Sequence, residues 1–188
     1  MESFVIFDLE FTTWEGCHPD NWNPAKNQYR EIVQIGACKV DAQSGEVIET
    51  FETCTQPILN PELSEYFMNL TGVSQSDLTE APSIEQGLRL FAEWTDDLMC
   101  FSWGNDFDIV SENIQLHQLD LPFEPQRFFD MRAYFLLHGI PAHEYNSGRM
   151  YQYFGIDMDN NEHNALHDVL SVANSFAALQ KRLSKKEL

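Results

Sequence analysis

At 188 residues the chain has the size of one ordinary domain and enough length to bury a core, so a single domain over 1–188 is expected. A formal net charge of −19 should repel polyanions at long range, and composition alone therefore argues against nucleic acid as a partner. The start, MESFVIFDLE, lacks a basic leader and no apolar run is long enough to span a bilayer, which points away from membranes and towards a cytoplasmic protein.

The charge is uneven. From Asp41 to Gln126 there is one basic residue, Arg89, among seventeen acids, whereas seven of the eleven basic residues lie between Arg127 and Lys186. Any anion-facing surface is expected from the C-terminal third. Cys17, Cys38, Cys54 and Cys100 form no C-x-x-C pair, which suits neither a structural zinc site nor a disulfide framework, and they read as reduced packing residues.

In chain order, 4–11 reads as a buried strand, 31–40 as a second, and 47–55 as a half-exposed third after the turn signal DAQSGE. Three strands in succession predict an antiparallel meander. The polar, proline-bearing link 16–29, with Trp22 and Tyr29, is either a functional loop or a solvated one with a packed tryptophan. Ser83 and Gln86 make a capping-box signature for a helix over 84–96. A strand at 98–104, a helix at 108–119, a strand at RFFDM, two short helical stretches (RAYFLLHG and SGRMYQYFG) and a final helix over 164–182 follow. The sum is an α/β fold, a mixed sheet covered by helices.

Residues two apart on a strand share a face, so Asp8 and Glu10 stand side by side, about 7 Å apart at Cα. Bare carboxylates there would repel, and divalent cations would remove that cost. D-x-[DE] also arises by chance in an acidic chain, but its place inside an apolar strand makes metal ligands an equal reading, because unpaired buried charge is expensive. Asp108 sits where a strand gives way to a helix, where an N-cap role competes with a functional one. In HNALHD, Asp168 opens the last helix and His163 precedes it, while His167 is a competing histidine that reads as a surface or packing residue.

The order D-x-E, then F-D, then H-x-x-x-x-D resembles the DEDDh 3′-to-5′ exonucleases of the RNase H-like fold. The resemblance runs from about Phe4 to Leu179. DLEFTTWEG, REIVQIGA, NPELSEYFMNLTGVSQSDL and SWG resemble the Eri-1/histone-mRNA 3′ exonuclease branch most.

The resemblance implies a metal-dependent enzyme that releases nucleoside 5′-monophosphates from 3′ ends with two Mg²⁺ or Mn²⁺ ions. Asp8, Glu10 and Asp168 would hold one ion, Asp8 and Asp108 the second, and His163 would be the general base. It places substrate contacts at Phe11, Thr12 and Thr13, where strand-end packing is an equal reading for Phe11. Trp14 and Trp103 are further candidates against a core-packing alternative. A short or single-stranded RNA 3′ end is favoured over DNA, and no appended nucleic-acid-binding domain is expected. A DNA exonuclease for proofreading or end trimming, or a non-catalytic binding protein on this fold, are the alternatives.

Overall fold

The computed structural model describes residues 2–17, 26–159 and 161–185. Only the two ends of the 16–29 link fall within them, and Trp22 lies outside the described residues.

β1 (Ser3–Phe11), β2 (Ile32–Asp41) and β3 (Val47–Cys54) form the expected antiparallel meander. β4 (Cys100–Ser102) and β5 (Phe128–Asp130) continue the sheet in parallel, giving the order β3-β2-β1-β4-β5. Pairing β4 beside β1 in parallel requires a crossover, supplied by α1 (Glu65–Thr71) and α2 (Ile84–Thr95). The capping box at Ser83 and Gln86 is formed at the start of α2. α1 was not anticipated from periodicity, because only Phe67 and Thr71 of its seven residues are buried.

Alternation along β1 sorts the interior into two layers. Phe4 and Ile6 face α4 (Arg132–Leu137), α5 (Met150–Tyr153) and α6 (Ala165–Ser184), packing with Val169, Val172 and Phe176. Val5, Phe7 and Leu9 face α2 and α3 (Asp106–His117), against Leu88, Phe91 and Val110. Cys38 and Cys100 are buried, one in each layer. The mixed sheet flanked by helices is the expected fold class. No helix among the described residues is long and apolar enough to cross a membrane.

Two irregularities place the far end of β1. A register shift between Glu10 and Phe11 leaves Val33 as the extra residue on β2. Val33 then joins a third apolar cluster with Leu63, Phe67, Val73 and Leu78, which seats α1. Gly36, paired with Asp8, lies under the first turn of α6, where a Cβ would overlap the backbone of Ala165 and Leu166. Gln34, paired with Glu10, accepts from Ala165 N at 3.0 Å and ties that turn to the sheet.

Because backbone cannot yield as a flexible side chain can, Gly36→Ala is expected to lower stability by about 1–3 kcal/mol. Urea unfolding monitored by circular dichroism checks this. An unchanged midpoint would show that α6 does not rest on this glycine.

Candidate active site

On the α6 face of β1 the apolar residues Phe4 and Ile6 give way to Asp8 and Glu10. The two carboxylates open into a cleft of about 290 Å³ that Asp106, Asp168, His163 and Ser147 also line. Ligand atoms of Glu10, His163 and Asp168 all lie within 4.8 Å of one another.

Each group arrives from a different element. Asn164 caps α6 by accepting from His167 N at 3.0 Å, which sets Asp168 in the first turn, pointing at β1. His163 stands before that cap with φ +63°, a left-handed backbone that an L-residue adopts at a cost. Asp168 is buried and accepts from Ser147 Oγ at 3.0 Å, while His167 Nδ1 lies 3.3 Å from its other oxygen. His167 Nε2 donates to the Asp159 carbonyl at 2.6 Å, which anchors the ring beside Asp168. Gly148 lies so close to Asp168 that a Cβ would strike its carboxylate.

The fourth carboxylate corrects the sequence reading. Asp108 was expected, but α3 begins two residues earlier, and Asp106 lines the cleft while Asp108 is exposed outside it. The helical period explains the difference: Ile109, Val110 and Asn113 are the buried stripe of α3, and Asp106 lies three and four residues before the first two. Asp106 Oδ2 is buried without a hydrogen-bond partner among the described residues.

The predicted substrate contacts divide. Phe11, Thr13 and Trp103 line the cleft. Trp103 is anchored by donating Nε1–H to the Tyr145 carbonyl at 2.9 Å and packs edge-on against Phe135. Thr12 does not line it: the side chain is 2% exposed, donates to the Tyr29 carbonyl at 2.5 Å and accepts from Glu31 N at 3.0 Å. Trp14 borders a separate depression with Lys26 and Pro61. Thr12 is therefore a brace for the strand end, as is buried Glu31, which accepts from the backbone N–H of Ile58, Leu59 and Asn60 at 2.6–2.9 Å. Ser64 completes the brace by donating to the Thr13 carbonyl at 2.5 Å.

Leu70, Asn146 and Ser147 also line the cleft and had no distinguishing signal in the sequence. Asp106 had one, its phase with the stripe of α3.

The electrostatics are those of a cluster in which burial and like charge outweigh the nearby counter-charge. Burial, and then the charges of Asp106, Asp168 and Glu10, push the Asp8 carboxyl well above the ordinary range. Burial followed by Asp168 and Asp106 does the same to Glu10. Burial raises Asp168 too, opposed by its bonds to His167 and Ser147. Burial lifts Asp106 to about 7, with Arg132 opposing. Four hard oxygen donors, one of them orphaned, fit divalent cations.

The exonuclease family model (RNase_T) matches residues 5–176. The chain belongs to this exonuclease family. Among curated proteins, DNA polymerase III PolC-type of Staphylococcus haemolyticus is 35% identical over 107 residues, and that of Staphylococcus aureus strain RF122 / ET3-1 is 34% identical over the same length. Each match takes in 57% of this exonuclease chain and spans only 6% of the length of the relative.

Among solved structures, the nuclease domain of 3′hExo, a DEDDh family member bound to rAMP, superposes with a TM-score of 0.79 at 22% identity, over 100% of this chain and 94% of that one. Cell-death related nuclease 4 (CRN-4) gives 0.76 at 17% identity, over 98% and 64%. The complex of E. coli ExoI with single-stranded DNA gives 0.68 at 16%, over 98% and 42%. The resemblance is borne out at the level of the exonuclease family by the family match, and the expected fold by the solved structures.

A carboxyl whose pKa is higher in the folded than in the unfolded chain contributes stability that is fully present below its unfolded value and is lost as pH rises through its folded value. For Asp106 that window runs from 3.8 to about 7. In chelator, the protein should melt at lower temperature at about pH 8 than at about pH 5, and Asp106→Asn should reduce the difference. Thermal melts at the two pH values decide, and an identical pH difference in the variant would remove Asp106 from the cluster.

Proposed function

We propose that this exonuclease, acting as one domain over 1–188, shortens nucleic acid from its 3′ end and releases nucleoside 5′-monophosphates. Asp8, Glu10, Asp106 and Asp168 would hold two divalent ions, Mg²⁺ or Mn²⁺, and His163 is the general base. One observation carries the reading: carboxylates from β1, α3 and α6 converge with an imidazole on a single buried cleft. Divalent cations would cancel the clustered charge and supply Lewis acidity towards water and phosphate.

His163, half-buried at the cleft, accepts the proton of the attacking water. Its position before the N-cap leaves the ring free of the helical ladder. Phe11 and Trp103 offer aromatic faces to the terminal base, a sequence-tolerant contact suited to stepwise removal. Thr13, Asn146 and Ser147 offer neutral hydrogen-bonding groups to the sugar, where a 2′-hydroxyl can be read.

RNA is the favoured substrate, supported by the similarity of fold to a 3′-exonuclease that recognises the histone mRNA stem-loop at its 3′ end. The DNA reading draws support from the PolC-type DNA polymerase relatives.

Matched 5′-labelled RNA and DNA oligonucleotides, incubated with Mg²⁺, Mn²⁺ or chelator, test both. The expected result is a metal-dependent ladder shortening from the 3′ end, faster on RNA. A faster DNA ladder would transfer the assignment to DNA, and no ladder on either would favour a binding protein. His163→Ala should cost about 10²–10⁴-fold in rate. Asp106→Asn should cost more than about 10²-fold, and Asp108→Asn should stay within about threefold. The reverse order would restore Asp108 to the ligand set.

A further inference from the structure

The cleft has a feature unusual for a surface that meets a polyanion: among the described residues, none that lines it is lysine or arginine. Two arginines whose elements adjoin the cleft are matched by acids. Arg132, whose charge reaches Asp106, is forked onto Asp130 with Nε and Nη2 at 2.7–3.0 Å. Arg149 lies 2.6 Å from Glu162. In each pair the acid offsets part of the charge that the arginine would present to a strand.

The C-terminal basic residues, which the sequence reading offered as the anion-facing end, are placed elsewhere. Lys181, Arg182 and Lys185 stand at the last turn and C-cap of α6, while the cleft is at its first turn. Lys181 and Lys185 stand 13 and 17 residues along the helix from Asp168, about 20–26 Å, roughly three Debye lengths at physiological salt. Arg182 is further engaged over the Phe154 ring at 4.4 Å. Lys26 borders the neighbouring depression, together with Glu62.

Beyond its carboxylates and His163, the cleft presents aromatic and neutral groups, among them Phe11, Trp103, Leu70, Thr13, Asn146 and Ser147. At about 290 Å³ it lies at the small end of ligand pockets, suited to one terminal nucleotide rather than a length of strand.

Resting on the exonuclease reading above, we propose that the substrate class is short oligonucleotides and short unpaired 3′ ends. The terminal nucleoside supplies recognition, and phosphates further along the strand add little.

Binding and turnover of 5′-labelled single strands of about four and about twenty nucleotides, the range over which a backbone-tracking groove would gain contacts, test this. Binding is read by fluorescence anisotropy with Ca²⁺, and turnover with Mg²⁺, at a fixed low divalent concentration over a KCl series. The expected result is kcat/KM for the two lengths within about threefold. The log–log salt slope of binding should be shallower than about −2, the release expected at three phosphates of a single strand.

A steeper slope, a gain of more than about threefold with length, or no binding of either strand at the lowest salt overturns the proposal. Binding without turnover on either length would instead overturn the exonuclease reading, leaving the salt slope to decide the substrate class.

Discussion

The structure depends on a single strand face that changes character along its length. Phe4 and Ile6 are buried under α6, and two and four residues later the same face carries Asp8 and Glu10. The strand cannot bury its first half without delivering its second half to the start of the same helix, where Asp168 waits. Hydrophobic burial, a non-directional force, thus fixes the position of charged groups that it could not itself stabilise.

What keeps those groups together is a set of short, local restraints. Gly36 removes the side chain that would lift α6 from the sheet, and Gln34 bonds the helix to β2. Gly148 allows the turn that carries Ser147 to close on Asp168 from the other side. On the rim, Glu31 satisfies three backbone N–H groups at once, each worth about 1–3 kcal/mol if left buried and unpaired. Such an arrangement costs stability in the absence of cations, and the strained backbone of His163 points the same way.

Most of the fold was legible because its elements carry strong periodic signals. β1 alternates, α2 has a capping box, and α6 has an apolar stripe, so their types and approximate bounds could be read directly. Asp8, Glu10 and Asp168 stand on those elements and His163 just before α6, and the family resemblance grouped them. Asp108 was misplaced because the start of α3 has no strong signal: Asn105 makes no side-chain cap, and the acidic stretch NDFD offers two carboxylates two residues apart. Two residues on a helix turn through roughly 200°, so a boundary error of that size exchanges a residue in the cleft for one in solvent. Thr12 came from the family resemblance, and its side chain is engaged by the chain that folds over it, here Tyr29 to Glu31, which no local signal in the sequence indicates.

The bulge opposite Glu10 and Phe11 also bears on how the chain finds this arrangement. Pairing that slips by one residue would turn Asp8 and Glu10 into the layer formed by Phe91 and Val110 and bring Phe7 and Leu9 out under α6. The extra residue, Val33, can occupy its third cluster only when the bulge sits where it does. Mispaired forms of the meander therefore lose on both counts, charge in an apolar layer and an empty seat for α1. The same two acids that burden the finished fold act, while the sheet is assembling, as a proofreading signal for its register.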